Sequence, residues 1–505
     1  MTKDDDEANQ GQGMPPQDGN PSTSAMVPMP APTLPEYIEE TIPPPSYEEI
    51  MGHQTQTSVQ QTVAELPPLA YVDIMPRLLK NGNIKNKIAP EFDKFSFVIE
   101  AANQWLRSNP GFAVWKCETV ERKVDGGRAG QPPIIELEKM TIHHSTYGFN
   151  VFIRGVRMWL VKKTGQGSQQ QLGLMNVVPE KKIVEWQTVR SGGLFMMEDP
   201  IYRNTITRTH GFVTYDGLME TIAKLNSKLK SYPLPGTVLN VECAMMKTFE
   251  FADDFKVDPD STCYTSESKM KRLTQILRIF YILGPPICEE ICLKEFQPEM
   301  TKRPTAMGQP AFQSWPDLNG QLGFWLANTS GIRVVNIQAF SARMSKGRET
   351  VNIMSDCTDE VQSSFTTREY VKLLRVFYTT GSPIQSQPVA NFSSRLFLPV
   401  RIGRQMFESM SQTMFRIEAW LRLVGLPIYN VETIQYLLKE SSVVGAELDK
   451  CTWSENPTVG NFFVTAIRVY FPCAFNEPDP RLLPPQQYYD SAFAPGASGN
   501  CCSIS

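Results

Sequence analysis

Two short segments, one near each end of the chain, carry residue types with a recognisable chemistry. Residues 34–50, LPEYIEETIPPPSYEEI, hold two tyrosines that each follow a proline by two places. Proline fixes its own φ and biases the preceding residue toward extended geometry, so PPPSY is already close to polyproline II. Grooves lined with aromatic side chains bind that shape at a low entropic cost. The segment is therefore predicted to be a peptide ligand and not part of a core.

The two tyrosine-bearing copies fit the peptide forms that WW domains bind, Pro-Pro-x-Tyr and its Leu-Pro-x-Tyr variant. The residues concerned are Pro44, Pro45 and Tyr47 in one copy and Leu34, Pro35 and Tyr37 in the other. Their spacing is roughly 30 Å when extended, enough to engage two linked WW modules and gain avidity. A solvated linker is the alternative interpretation.

The other segment is the C-terminal sequence CCSIS. Cys502 and the three residues after it match C-a-a-X with serine at X, a pattern that favours farnesylation, and the neighbouring Cys501 could be acylated. One lipid chain of this kind gives only marginal membrane binding, with an association constant of about 10⁴ M⁻¹. A second membrane contact is therefore expected, and a pair of unmodified tail cysteines is the alternative.

A basic patch is one candidate for the second contact. It consists of Arg77, Lys80, Lys85 and Lys87. Anionic lipid contributes about 1 kcal/mol for each such residue near the surface. A solvated basic loop explains the pattern equally well.

Catalytic and metal-binding patterns are poor in this sequence. His143 and His144 are neighbours in a predicted strand, so their side chains point to opposite faces and do not easily bind one metal. Cys288 and Cys292 lack a matching second pair of cysteines. We therefore expect no enzyme activity, no cofactor and no metal site.

The charge distribution separates the first part of the chain from the rest. Residues 1–66 carry one lysine and eleven acids, whereas the whole chain of 505 residues has a net charge of −4. An acidic N-terminus does not resemble a signal peptide, and no apolar run reaches the ~20 residues that span a bilayer. Residues 1–68 and 476–505 lack aliphatic periodicity and are predicted to be disordered, because they could not offset their ordering entropy.

Between these tails the sequence predicts alternating strands and helices. Strands are predicted at 149–161, 238–246, 332–340 and 462–471; in the second of these, Asn240 and Glu242 are expected on a solvent face. A helix is predicted over 214–230, with Thr214 as a possible N-cap, and another over 366–378, where Thr366 and Glu369 have capping-box spacing.

An internal repeat is suggested by three similar segments, 277–287 (LRIFYILGPPI), 374–384 (LRVFYTTGSPI) and the shorter 421–428 (LRLVGLPI). A fainter similarity pairs 211–222 with 364–375. Two explanations remain open. The segments are amphipathic helices stopped by Gly and Pro, or they mark the duplication of a helix-plus-strand unit.

The N-terminal PPPSYEEI resembles the late-domain tails of matrix proteins of negative-strand RNA viruses, of the rhabdovirus and filovirus type. The resemblance implies an α+β fold: antiparallel, β-rich tandem matrix-like domains at 69–255 and 256–475 with packed amphipathic helices. It also implies that the tyrosine motifs recruit host ubiquitin ligases of the HECT class through their WW domains. The length of the chain and the terminal CSIS depart from the usual pattern of that family.

The expected function is that of a viral matrix protein that binds anionic lipid on the inner leaflet, forms homo-oligomers, contacts the viral nucleocapsid and drives budding. Its expected locations are the virion, the host cytoplasm and the cytoplasmic face of host membranes. The alternative is a cellular prenylated adaptor that brings a WW-domain ubiquitin ligase to membranes.

Overall fold

One arrangement of a helix and four strands occurs four times in the part of the chain that the structure describes. The structure is a computed structural model. It describes residues 69–125, 132–144, 149–163, 169–184, 212–251, 254–266, 271–304, 310–346, 350–362, 367–382, 386, 389, 391–403, 406–438, 448–455 and 461–485. The predicted disordered tail 1–68, and the C-terminal tail from residue 486, lie outside this part.

Each repeat contains a first strand, an α-helix, a long inner strand, a short bridging strand and a long return strand. The first repeat contains β1 (Ala70–Ile74), β2 (Leu78–Lys80), β3 (Glu91–Phe92), α1 (Phe95–Ser108), β4 (Phe112–Asp125), β5 (Ile134–Ile135), β6 (Thr141–His144) and β7 (Asn150–Lys162). The second contains β8 (Leu172–Val177), β9 (Lys181–Val184), β10 (Phe212–Tyr215), α2 (Leu218–Ser231), β11 (Gly236–Phe251), β12 (Asp254–Val257), β13 (Cys263–Ser266) and β14 (Lys271–Leu283). The third contains β15 (Glu290–Phe296), β16 (Met300–Lys302), β17 (Ala311–Phe312), α3 (Trp315–Ala327), β18 (Arg333–Lys346), β19 (Val351–Ile353), β20 (Asp359–Gln362) and β21 (Arg368–Thr380). The fourth contains β22 (Ser393–Phe397), α4 (Met410–Val424), β23 (Asn430–Leu438), β24 (Thr452–Glu455) and β25 (Asn461–Phe471).

The sheet of each repeat has the return strand in the middle, between the first strand and the inner strand, and all pairs are antiparallel. The bridging strand does not join its own sheet. It pairs instead with the return strand of the preceding repeat: β13 with β7, β20 with β14, and β24 with β21. The bridging strand of the first repeat, β6, pairs with the return strand of the fourth, β25. The four sheets therefore close into a ring that resembles a propeller.

Each helix is amphipathic and fills the space between two neighbouring repeats. In α1 the buried residues Phe95, Val98, Ile99, Ala102 and Leu106 recur at the spacing of one helix face. They pack against β1, β4 and β7 of their own repeat, and also against residues of the second repeat. Corresponding clusters lie at the other three junctions.

The first turn of each helix binds an acidic residue of the next repeat. The backbone N–H groups of Phe95 and Ser96 donate to the carbonyl and the carboxylate of Asp260. Such bonds satisfy the N–H groups that a helix leaves open at its N-terminus, and the negative charge complements the helix dipole. The other acidic residues that bind a helix start in this way are Asp356 at α2, Asp449 at α3 (through its carbonyl) and Glu138 at α4.

The prediction of a mixed, antiparallel and strand-rich α+β fold is confirmed, but the arrangement of the strands is not the tandem matrix-like one that the resemblance implied. The described residues, which begin at Leu69, form one compact unit with a propeller-like ring. The expected boundary between residues 255 and 256 falls within β12.

Some local predictions are confirmed and others are wrong. All four predicted strands exist, and α2 lies where a helix was expected, although its N-cap is Gly217 and not Thr214. The predicted helix over 366–378 is strand β21 instead. Residues 476–485, expected to be part of the tail, contact α4, since Trp420 Nε1 donates to Glu477 Oε2 at 2.9 Å.

Candidate functional site

The residues of both terminal motifs lie outside the described residues: Leu34, Pro35, Tyr37, Pro44, Pro45, Tyr47, Cys501 and Cys502. Only the basic patch can be located. It occupies the link between β1 and α1, where β2 pairs with β3.

That pairing brings two acids to the basic patch. Arg77 Nε lies 2.7 Å from Asp93 Oδ2, and Lys80 Nζ lies 3.1 Å from Glu91 Oε1. The basic side chain of each pair is exposed, so each pair contributes little to stability. The two pairs nevertheless reduce the net positive charge of the patch. The patch therefore offers less positive charge to a membrane than the sequence suggested.

A ring of polar side chains joins the inner strands at the centre of the molecule. Asn240 Nδ2 donates to the carbonyl of Cys117 in the preceding repeat at 2.5 Å. Asn336 and Asn430 make the equivalent bonds to Val241 and Ile337, at 2.8 and 2.9 Å.

Lysine takes the fourth position of this ring. Lys116 Nζ donates to the carbonyl of Val431 at 2.6 Å, which closes the circle from the first repeat to the fourth. It also donates to Asn336 Oδ1 and Asn430 Oδ1, at 2.7 and 2.6 Å. One ammonium group therefore binds acceptors from the third and fourth repeats at once.

A second ring lies two residues further along the same strands, on the same face. Each member accepts a hydrogen bond from a backbone N–H of the preceding repeat, as Glu242 Oε2 does from Thr119 N at 3.0 Å. The other bonds run from Cys243 N to Gln338, from Ala339 N to Glu432 and from Thr433 N to Glu118.

Directly across the sheet from each member of the second ring stands an arginine of the return strand. The pairs in register are Glu118 with Arg157, Glu242 with Arg278, Gln338 with Arg375, and Glu432 with Arg468. All four arginines are buried. Arg157, for example, binds both oxygens of Asp73 at 2.6 Å, and Arg375 Nε lies 2.7 Å from Glu295 Oε1.

The two rings are suited to a structural role and not to chemistry on a substrate. Burial raises the pKa of Glu242 and of Glu432, and their arginine and hydrogen-bond partners act in the opposite direction. Burying charge costs several kcal/mol per ion unless partners compensate, so each ring position depends on the neighbouring repeat. The rings therefore bond each repeat to its neighbours around the closed circle.

Because of Lys116, the stability of the ring is expected to change with pH in the alkaline range. Burial lowers the pKa of Lys116 from 10.5 to about 8, although Glu118 and Glu432 attract its charge. Between pH 8 and pH 10.5 the Lys116 side chain is protonated in the unfolded chain and neutral in the folded chain. Its contribution to the free energy of unfolding is therefore complete above pH 10.5 and is lost as the pH falls through 8.

We therefore expect the wild type to gain stability over Lys116→Met, by up to about 3 kcal/mol, as the pH rises from 8 to 10. Urea unfolding of both proteins at several pH values measures the difference, in which the titrations common to both cancel. A difference that does not change with pH would contradict the assignment.

Two of the cavities in the described part of the chain contain acids and lysines that pair with one another. One of about 420 Å³ is lined by Asp125, Glu136, Lys139, His143 and other residues of the first repeat, with Phe462 of the fourth. Lys139 pairs with both acids of that cavity. Burial and the nearby charge of Lys123 lower the pKa of His143.

The second cavity, of about 310 Å³, lies beside α2. In it Lys224 Nζ lies 2.6 Å from Asp216 Oδ2 and 2.8 Å from Glu180 Oε2. These groups stabilise the contact of α2 with the preceding loop. Neither cavity presents a nucleophile next to a base among its lining residues.

Two further searches of the described residues gave negative results. No group of three or more His, Cys, Asp and Glu side chains there could hold a metal ion. No helix in this part of the chain has the length and apolar character needed to cross a bilayer.

The first and last described segments meet at one hydrophobic cluster, the closure cluster. Leu69, just before β1, is 3% exposed within it, and Leu483 packs against it. The cluster also contains Trp159 of the first repeat and Trp420 of the fourth, so it is the junction at which the ring closes.

The ring residues were missed by the sequence interpretation, although one signal pointed to them. The similar segments 277–287 and 374–384 place Arg278 and Arg375 at equivalent positions of β14 and β21. Both begin in return strands and not in helices, whereas 421–428 covers the end of α4 and is not equivalent. The four-fold repetition supports duplication of a helix-plus-strand unit.

Compared with protein-family models, with curated proteins and with solved structures, the chain matches none.

Proposed function

We propose that this chain is a viral matrix protein in function: it binds the inner leaflet, assembles with copies of itself, contacts the nucleocapsid and recruits a host WW-domain ubiquitin ligase of the HECT class. The proposal depends on the terminal motifs and on one structural observation. The first and last described segments share the closure cluster, so both motif-bearing segments leave the body at the same junction.

This junction limits how far apart the two motifs act. The chain from Leu69 back to Tyr47 measures at most ~75 Å, and that from Leu483 to Cys502 at most ~65 Å. A ligase bound at Tyr47 would be held near the membrane in which a lipid on Cys502 is inserted. Recruitment of the ligase and anchoring to the membrane would then take place close to the same junction of the molecule.

The closed ring supports the role of a scaffold. Buried charges of the rings bind neighbouring repeats, and acids and lysines that line the two cavities described above pair with one another. A rigid body of this kind repeats its surfaces regularly when copies assemble, and an array turns weak lipid and nucleocapsid contacts into strong collective binding.

The alternative is a cellular adaptor that uses the same motifs without assembling. The two functions differ in what the protein does alone. A matrix protein deforms the membrane and releases particles, whereas an adaptor leaves it unchanged.

The test is to express the protein by itself in cells and to measure released, membrane-enclosed particles. We expect release, and we expect Tyr47→Ala to reduce it severalfold because the tyrosine fills the WW groove. Met406→Ala, at an exposed apolar residue of the body, serves as the control. Absence of particles from the wild type would leave the adaptor as the better explanation.

A further inference from the structure

We infer that one particular face of the ring rests on an anionic phospholipid membrane. This inference depends on the membrane association proposed above and specifies the surface that performs it. The face is the one at which the inner strands β4, β11, β18 and β23 begin, and we call it the start face. The opposite side, where these strands end, is the end face.

Strand direction assigns every connection to one face. The inner strands make equivalent contacts around the ring, so they all run in the same sense along its axis. The return strands run in the opposite direction. The start face therefore carries the helix-to-strand links, the end of each return strand and Leu69. The basic patch, which follows β1, belongs to the end face.

Acids are concentrated on the end face because the helix starts are bound there. Asp260, Asp356, Asp449 and Glu138 all bind the first turn of a helix. Anionic lipid would meet these carboxylates at every repeat. This face is electrostatically unfavourable for a membrane, even though it contains the basic patch.

The start face lacks such acids at the same positions. The four links between helix and inner strand, 109–111, 232–235, 328–332 and 425–429, contain no charged residue. Exposed cations stand beside them: Arg107 and Lys230 at the ends of α1 and α2, and Lys162 at the end of β7. Cations favour helix C-termini, which places Arg107 and Lys230 on the start face, whereas the acids that bind the helix starts lie on the end face.

Large apolar side chains project from the start face in every repeat. Tyr232 is 82% exposed and Phe324, in the last turn of α3, is 75% exposed. Val161, Leu283 and Leu423 are also exposed there. The end face exposes apolar side chains too, including Leu79 and Ile88, so apolar exposure alone does not select a face.

The position of the first described residue also favours the start face as the membrane-binding side. Leu69 precedes β1, and β25 ends at Phe471 on the start face. After β25 the chain continues along α4, and Leu483 packs against the same cluster as Leu69. Cys502 follows Leu483 in the chain. A lipid anchor and a basic, apolar surface on one side act on the same bilayer, which raises their combined affinity.

The experiment uses full-length protein made without prenylation and vesicles of phosphatidylserine and phosphatidylcholine, so that the body alone is tested. The start-face variant combines Lys162→Glu, Lys230→Glu, Tyr232→Ser and Phe324→Ser. The matched end-face variant combines Lys85→Glu, Lys87→Glu, Leu79→Ser and Ile88→Ser. Each reverses two lysines and removes two exposed apolar side chains. Thermal unfolding verifies that both variants remain folded.

We expect the start-face variant to bind the vesicles at least about tenfold more weakly than the wild type, since each lysine near an anionic surface contributes substantially to binding. The end-face variant should bind as the wild type does. Loss of binding in the end-face variant alone, equal loss in both, or no vesicle binding by the wild type would each overturn the inference. Particle release is measured separately: normal vesicle binding without particles would contradict the proposed function and leave the start face assigned.

Discussion

Replacement of Arg375 by alanine is expected to lower the free energy of unfolding by about 3–5 kcal/mol. The guanidinium group is completely buried and binds Glu295, Gln275 and the carbonyl of Ser355, the last at 2.5 Å. Its carbon also lies 3.5 Å from the centre of the Phe340 ring. Alanine would leave a partly buried carboxylate and two other acceptors without their donor, which costs more than the loss of a similar contact in an exposed position. Urea unfolding measures the change.

Arg77→Ala is the matched control for Arg375→Ala. Arg77 Nε lies 2.7 Å from a carboxylate oxygen, the same separation as in the Arg375 pair, but its side chain is 80% exposed. Exposed ion pairs contribute little to stability because solvent screens them, so this variant should remain close to the wild type. Equal destabilisation by the two substitutions would show that burial in the ring is not what gives Arg375 its importance.

Replacement of Cys502 by serine is expected to move the protein from the membrane fraction to the cytosol in flotation experiments. The proposed anchor is covalent and serine cannot accept a prenyl group. What remains is the contact of the body, which lacks the contribution of ~0.8 kcal/mol for each buried CH₂ of the lipid.

Cys501→Ser keeps the C-a-a-X cysteine and is the control for Cys502→Ser. It should reduce flotation less, through the loss of a second acylation site. Mass spectrometry of the C-terminal peptide identifies the modification directly. Unchanged flotation of the Cys502→Ser variant would show that prenylation of Cys502 does not anchor the protein.

Sequence patterns predicted the elements with clear periodicity and failed where burial is two-sided. Helix α2 was found because Leu218, Ile222, Leu225 and Leu229 lie on one face. Strand β21 was mistaken for a helix because it is buried on both faces, so its apolar residues do not alternate. A buried strand and a helix cannot be distinguished by periodicity alone.

The polar rings could not be predicted for a related reason. Asn240 and Glu242 alternate with apolar residues in β11, and such alternation normally indicates a solvent face. Here the second face points into the ring, where Asn240 is 0% and Glu242 is 5% exposed. Their partners are carbonyl and N–H groups of another repeat, more than a hundred residues away in the sequence. Only the closed topology brings them together.

The junction at the closure cluster has a consequence for synthesis on the ribosome. The first repeat emerges long before the fourth, and its strand β6 and its residue Trp159 must wait for β25 and α4. Until then, apolar surface and an unpaired strand edge are open to chaperones and to other nascent chains. A transcript truncated before the last repeat would therefore yield a product that cellular quality control recognises, whereas the complete translation product conceals the same surface in its final step of folding.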